Sequence, residues 1–217
     1  MTNQRTFFIF GPTILFLGIL LGVMNPAVAA PRDMTPALRP PAAGGVEIEE
    51  IPDWLARWEL ARVLGYVKRY DEALVEYRKL IREKPALTDA RLEMARLLFW
   101  QGKTDEALGE AEKVPPANLN DDARELVADL YRSQKRYDRA EPLYRFCLNR
   151  NPERDRVRLK LAEMLSWMKR YDESLTEYEK LLAKKPQDIQ VRRKYAVVLI
   201  WAGRNEDAVR ELKQTLP

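Results

Sequence analysis

Between Asp155 and Pro186 the chain spells out two short amphipathic helices in succession. Val157, Leu161, Met164 and Leu165 recur at i, i+4, i+7 and i+8, and Leu175, Tyr178, Leu181 and Leu182 redraw that apolar stripe after a turn at Lys169-Arg170-Tyr171. Asp172 and Glu173 put acids at the start of the second helix, where unpaired N–H groups favour them, and Pro186 stops it. Neither stripe can be buried by its own helix, so such a hairpin is stable only when stacked on others. The chain supplies those others itself. The pattern restarts at Trp54, Thr88, Asp121, Asp155 and Ile189, in steps of 34, 33, 34 and 34 residues.

Each unit carries small residues at fixed places. The eighth position is Ala61, Ala95, Ala128, Ala162 and Ala196, the twentieth is Ala73, Ala107, Ala140, Ser174 and Ala208, and an aromatic at the twenty-fourth is Tyr77, Tyr144 and Tyr178. Pro85, Pro152 and Pro186 close three of the units. On these residues the chain resembles the tetratricopeptide repeat (TPR) family over most of its length. The resemblance implies an all-α fold, a right-handed α-solenoid of five helix-turn-helix repeats, at about 54–87, 88–120, 121–154, 155–188 and 189–217. It also implies a binding architecture rather than a reaction, because function resides in sites carried by the fold.

Composition narrows the function classes. The chain has no histidine and one cysteine, which removes imidazole proton transfer, Ser-His triads, ordinary zinc clusters and any intramolecular disulfide. No metal, cofactor or catalytic set is expected. The formal charge is +4 with acids and bases interleaved throughout, so nothing forms the basic stripe that tracks a phosphate backbone, and a nucleic-acid partner is not expected. Cys147, at a small-residue site where two helices meet, reads as a buried, unreactive thiol.

The first 29 residues read as a signal peptide. Arg5 precedes an apolar run from Phe7 to Met24, Pro26 breaks it, and Ala27-Val28-Ala29 offers small residues to a signal peptidase, with cleavage expected after Ala29. The alternative is an uncleaved anchor in the inner membrane, since the run approaches spanning length. Cleavage makes the protein periplasmic or secreted and its membrane contact transient. Residues 30–52 are Pro-, Ala- and Gly-rich and read as a flexible linker, ending in the acids Glu47, Glu49 and Glu50. The repeat domain then runs over 53–217, with Asp53 as the expected N-cap of its first helix.

Two irregularities stand out. Repeat two has Ala111 in place of the aromatic and meets Pro115-Pro116 early, which predicts a shortened helix and a change of path between Lys113 and Asp121. Pro142 falls inside the second helix of repeat three, at a place read as its first turn. At the far end Val209, Leu212 and Leu216 form an apolar edge that either invites a partner or a second copy, or simply belongs to a fraying helix.

By the resemblance, partners are held on the concave face, built from positions 2, 5, 9, 12 and 13 of each first helix. Those positions carry Trp58, Arg62, Tyr66, Arg96, Phe99, Trp100, Arg132, Trp167 and Trp201. Rigid rings beside guanidinium groups can grip an apolar or aromatic peptide, or stack on sugar rings. The competing reading is that each ring packs between successive helices. Arg57, Arg91, Arg124, Arg158 and Arg192 recur at the fourth position, where each stem can cover apolar surface while its head reaches a carboxylate such as Glu76 or Glu179. The run Leu97-Leu98-Phe99-Trp100-Gln101-Gly102, echoed at Leu199-Ile200-Trp201-Ala202-Gly203, looks like repeats of exopolysaccharide export and cellulose-synthesis proteins. Two functions follow: a non-catalytic scaffold for protein partners of the cell envelope, or a module that binds polysaccharide directly.

Overall fold

The computed structural model describes residues 50–217, so the segment expected to be a signal peptide and nearly all of the one expected to be a linker lie outside the described residues. Ten α-helices and no strand occur among the described residues. They run in pairs: α1 (Asp53–Tyr66) and α2 (Tyr70–Glu83), α3 (Thr88–Trp100) and α4 (Thr104–Ala111), α5 (Asp121–Ser133) and α6 (Tyr137–Arg150), α7 (Asp155–Trp167) and α8 (Tyr171–Lys184), α9 (Ile189–Trp201) and α10 (Asn205–Lys213). Each pair is one repeat of an α-solenoid. Asp53 is the first residue of α1 and Pro52 holds the capping position, one place earlier than expected, so Asp53 acts through the helix dipole instead of through a cap.

One turn geometry joins every pair. The fifteenth residue of each repeat, Lys68, Gly102, Lys135, Lys169 or Gly203, has a positive φ between 60° and 77°. This left-handed residue lets the next N–H reach back to the eleventh carbonyl, as in Arg69 to Leu64 at 2.8 Å and Arg170 to Leu165 at 3.0 Å, and satisfies an otherwise orphaned carbonyl. Inside each hairpin the helices approach through alanines. Ala61, Ala73, Ala95, Ala107, Ala128, Ala140, Ala162 and Ala196 are fully buried. Where Ser174 replaces alanine, its hydroxyl donates to the Ala162 carbonyl at 2.7 Å, so the buried oxygen has a partner.

The core is a row of local clusters, as a quasi-one-dimensional stack requires. Repeats one and two share a cluster with one face of α5. Ala128 and Ala140 join repeat three to Val157, Leu161 and Met164 of α7, and Ala162 with Leu175 and Tyr178 joins repeat four to α9. The joint after repeat two is different. Helix α4 has 8 residues where α2, α6 and α8 have 14, and a 3-10 turn at Pro116–Asn118 carries the chain into α5. Asn120 caps α5 by accepting the Ala123 N–H at 2.8 Å. Pro142 is the sixth residue of α6 and not in its first turn, so the helix runs unbroken while forgoing one internal hydrogen bond.

Candidate partner-binding site

The fourth-position arginines are structural. Arg57 meets Glu76 at 2.8 Å, Arg91 meets Glu110 at 2.6 Å and Arg158 meets Glu177 at 2.6 Å, and Arg192 pairs with Glu211 in the same way. In each case the carboxylate is nineteen residues on, at the twenty-third position of the same repeat, so Arg and Glu clamp the two helices of one hairpin. Glu179, expected as a partner, instead accepts the Tyr195 hydroxyl at 3.0 Å, because it lies two residues further round α8 and faces the next repeat. Arg124 has Leu143 at the corresponding place. It lies over the Phe146 ring at 4.4 Å and donates to the Pro116 carbonyl at 3.3 Å.

A second ladder crosses between repeats on the first helices. Glu93 of α3 accepts from Arg62 at 2.6 Å, from the Trp58 indole N–H at 2.6 Å and from the Tyr77 hydroxyl at 2.9 Å. Two joints later the signs are exchanged. Lys160 of α7 donates to Asp129 and Glu125 of α5, both at 2.5 Å, and Lys194 of α9 pairs with Glu163 of α7. Burial alone would raise the Glu125 carboxyl, but Lys160 and Arg154 more than offset it and hold it below the usual carboxylate range. Burial, reinforced by Glu93 and Asp129, pushes the Tyr77 and Tyr144 hydroxyls far up. The joint between repeats two and three breaks the ladder: Arg96 is set against a helix that carries Leu126 in the partner position. Arg96 is half-buried, and its side chain makes no ion pair or hydrogen bond among the described residues.

The nine candidate residues separate on this scaffold. Trp58 is absorbed by the stack: its ring is 9% exposed, Arg62 lies over it at 4.3 Å, and both are tied to Glu93. Phe99 and Trp100 are half-buried against the cluster of repeats one and two. Tyr66, Trp167 and Trp201 are different, being 63%, 49% and 50% exposed. Each is the last residue of its first helix, at the thirteenth position, so they recur along one edge of the array. Trp167 is steadied from behind by Tyr137, with ring centroids 6.2 Å apart, and by Arg132 at 5.6 Å, whose Nη1 also reaches Glu163 at 3.5 Å. At the C-terminal edge Val209 and Leu216 are exposed and Leu212 is half-buried.

Other chemistry is sparse. Cys147 is buried with its thiol donating to the Asp121 carbonyl at 3.6 Å, and burial raises its pKa, which suppresses the reactive thiolate. Among the described residues no group of three or more acids or cysteines is arranged to hold a metal ion, and no helix is long and apolar enough to cross a membrane.

The sequence profile of the tetratricopeptide repeat matches residues 67–130, 131–194 and 168–217. Solved structures of similar fold include a crystal structure of MamA, at 16% identity with a TM-score of 0.70 over 75% of this chain and 90% of that one. They also include YrrB, described as a TPR protein with an unusual peptide-binding site, at 18% identity and a TM-score of 0.68 over 75% and 84% of the two chains. A second MamA structure aligns at 22% identity and a TM-score of 0.67 over 75% and 94%. No curated protein matches the sequence. With the profile covering most of the chain and the helix pairs in the same register, the protein belongs to the tetratricopeptide repeat family.

Proposed function

We propose that this protein is a non-catalytic scaffold that holds a protein partner on the face made by the first helices of its repeats. One observation carries this reading. The side chains needed to hold the stack are paired among themselves, while Tyr66, Trp167 and Trp201 stand about half exposed or more on one edge and the guanidinium of Arg96, on the helix that carries Phe99 and Trp100, is unpaired among the described residues. Exposed rings backed by fixed neighbours bury large area at low entropic cost, and an unpaired cation favours a partner segment carrying a carboxylate. Peptide capture, the property YrrB is described by, is the activity this arrangement suits.

The leader-like residues 1–29 support a periplasmic or secreted setting, and with them a role in cell-envelope assembly or polymer export as a separate component. The exposed indoles of Trp167 and Trp201 also favour a second reading, direct stacking on a polysaccharide.

Photocrosslinking in cells expressing the full-length chain tests the reading. A benzophenone amino acid at Arg96 or Trp201 is expected to give a discrete protein adduct, and one at Val75, exposed on a second helix, to give none. Equal labelling from both faces would overturn it. Titration with envelope polysaccharide, followed by tryptophan emission, separates the second reading: quenching that Trp167→Ala and Trp201→Ala remove would favour glycan over protein.

A further inference from the structure

The joints inside the array define, position by position, what stacking covers. A first helix meets the preceding repeat through its third, seventh and tenth residues. Leu97 lies against Gly65, whose added Cβ would come within 3.2 Å of it, and the Tyr195 and Tyr178 rings are 6.3 Å apart. Ala90, Met94 and Leu97 of α3 and Val157, Leu161 and Met164 of α7 are accordingly buried. In α1 those positions are Ala56, Leu60 and Val63, and all three are exposed, Leu60 by 49% and Val63 by 55%, with Val67 continuing the stripe. Repeat one thus presents the apolar half of a joint with nothing described seated on it.

Repeat five presents the other half. In repeat one the face turned to repeat two carries the twelfth, twenty-first and twenty-eighth residues, the buried Gly65, Leu74 and Ile81. In repeat five they are Ile200, Val209 and Leu216, all exposed. The charges match as well. Inside the array the twenty-fifth residue of a repeat pairs with the nineteenth of the next, Arg78 with Glu106 at 3.6 Å and Arg145 with Glu173 at 2.9 Å. Lys213 and Glu72 occupy these positions at the two ends, and Arg193 and Glu59 stand where Glu125 and Lys160 meet with opposite signs.

We propose that the exposed face of repeat one is a docking site for a second copy of this chain, which seats its repeat-five face there and continues the solenoid from one molecule into the next. The contact reproduces the internal joint in register, with Ile200, Val209 and Leu216 of one copy against Ala56, Leu60 and Val63 of the other and Lys213 set against Glu72. Because the two faces differ, the contact is head-to-tail and leaves a free face at each end, so assembly is open-ended rather than closed at a dimer.

Sedimentation of the protein purified from cells expressing the full-length chain tests this. The weight-average mass should climb with concentration past that of a dimer. Val63→Glu, which spoils only the repeat-one face, and Val209→Glu, which spoils only the repeat-five face, should each remain monomeric. An equimolar mixture of the two should form a one-to-one pair and stop, since just one good joint can form. Both sites are exposed, so circular dichroism should show unchanged helix. As a milder perturbation, Glu72→Lys should weaken association at least tenfold, and adding Lys213→Glu in the same chain should recover it. A wild type that stays monomeric at the highest attainable concentration would overturn the proposal, as that face is then unused or covered by residues 1–49. A dimer that persists in Val63→Glu alone, or a mixture that fails to pair, would overturn it equally.

Discussion

Arg158 and Glu177 face each other across the hairpin of repeat four with Nη1 and Oε2 2.6 Å apart and both side chains about nine-tenths buried. Arg158 Nη2 also donates to the Pro152 carbonyl at 3.0 Å, so the guanidinium ties α7 to α8 and to the turn that precedes α7. Removing one partner leaves a buried charge without compensation, so Glu177→Leu is expected to cost about 3–5 kcal/mol. Replacing both, as Arg158→Met with Glu177→Leu, should recover most of that loss. Urea unfolding of the two single variants and the double variant measures this, and a double variant as unstable as the sum of the singles would contradict the clamp.

The left-handed turn residue gives a test with opposite signs at equivalent sites. Lys135 has a φ of 60°, where a side chain costs about 1 kcal/mol relative to glycine. Lys135→Gly should therefore stabilise by about 0.5 kcal/mol after the added freedom of the unfolded chain is subtracted. Gly102→Ala should destabilise by about 1 kcal/mol, since a Cβ there meets nothing within 4 Å and the penalty is purely conformational. Thermal or urea melts read both.

Ala111 stands where Tyr77, Tyr144 and Tyr178 fill three of the other four repeats, yet it is fully packed, because the short α4 lets Val114 and Leu119 close over the joint. Restoring the aromatic should not help. Ala111→Tyr is expected to destabilise by about 1–3 kcal/mol through overpacking, and a gain in melting temperature would show that the joint holds unused space.

Stability should fall at both ends of the pH scale. Glu125 and Glu141 have folded pKa values held below their unfolded ones by Lys160, Arg154, Arg170 and Arg145. Their contribution is present above the unfolded carboxylate range and is lost as pH falls through the lower folded values. Burial and the bond to Glu179 push the Tyr195 hydroxyl up to about 12. That contribution is complete below an ordinary tyrosine pKa of about 10 and disappears as pH rises towards 12. Circular dichroism melts across pH should show both flanks, with Tyr195→Phe shallower on the alkaline side.

Arg96 has no side-chain partner among the described residues, so Arg96→Ala should change stability by less than about 0.5 kcal/mol. Arg62→Ala, by contrast, strips Glu93 of its cation and should cost about 2 kcal/mol. Comparing the two melts separates a guanidinium kept for binding from one kept for packing.

The five hairpins, their turns, the alanine contacts and the shortened helix before Pro115 were all legible in the amino-acid sequence, because each depends on spacing within about thirty residues of chain. That the fourth-position arginines were structural was legible too, and Glu76 was a correct partner. That Glu177 and not Glu179 serves Arg158 was not, since the choice depends on how α8 is rotated against α7, which periodicity leaves free. Tertiary packing alone decided that Trp58 is enclosed while Trp167 and Trp201 are open, although the resemblance assigned all three to one binding face. It also decided that Leu60 and Val63 are exposed. They occupy positions that are core in every later repeat, and they face outward only because burial of a first helix is conferred by the hairpin stacked before it.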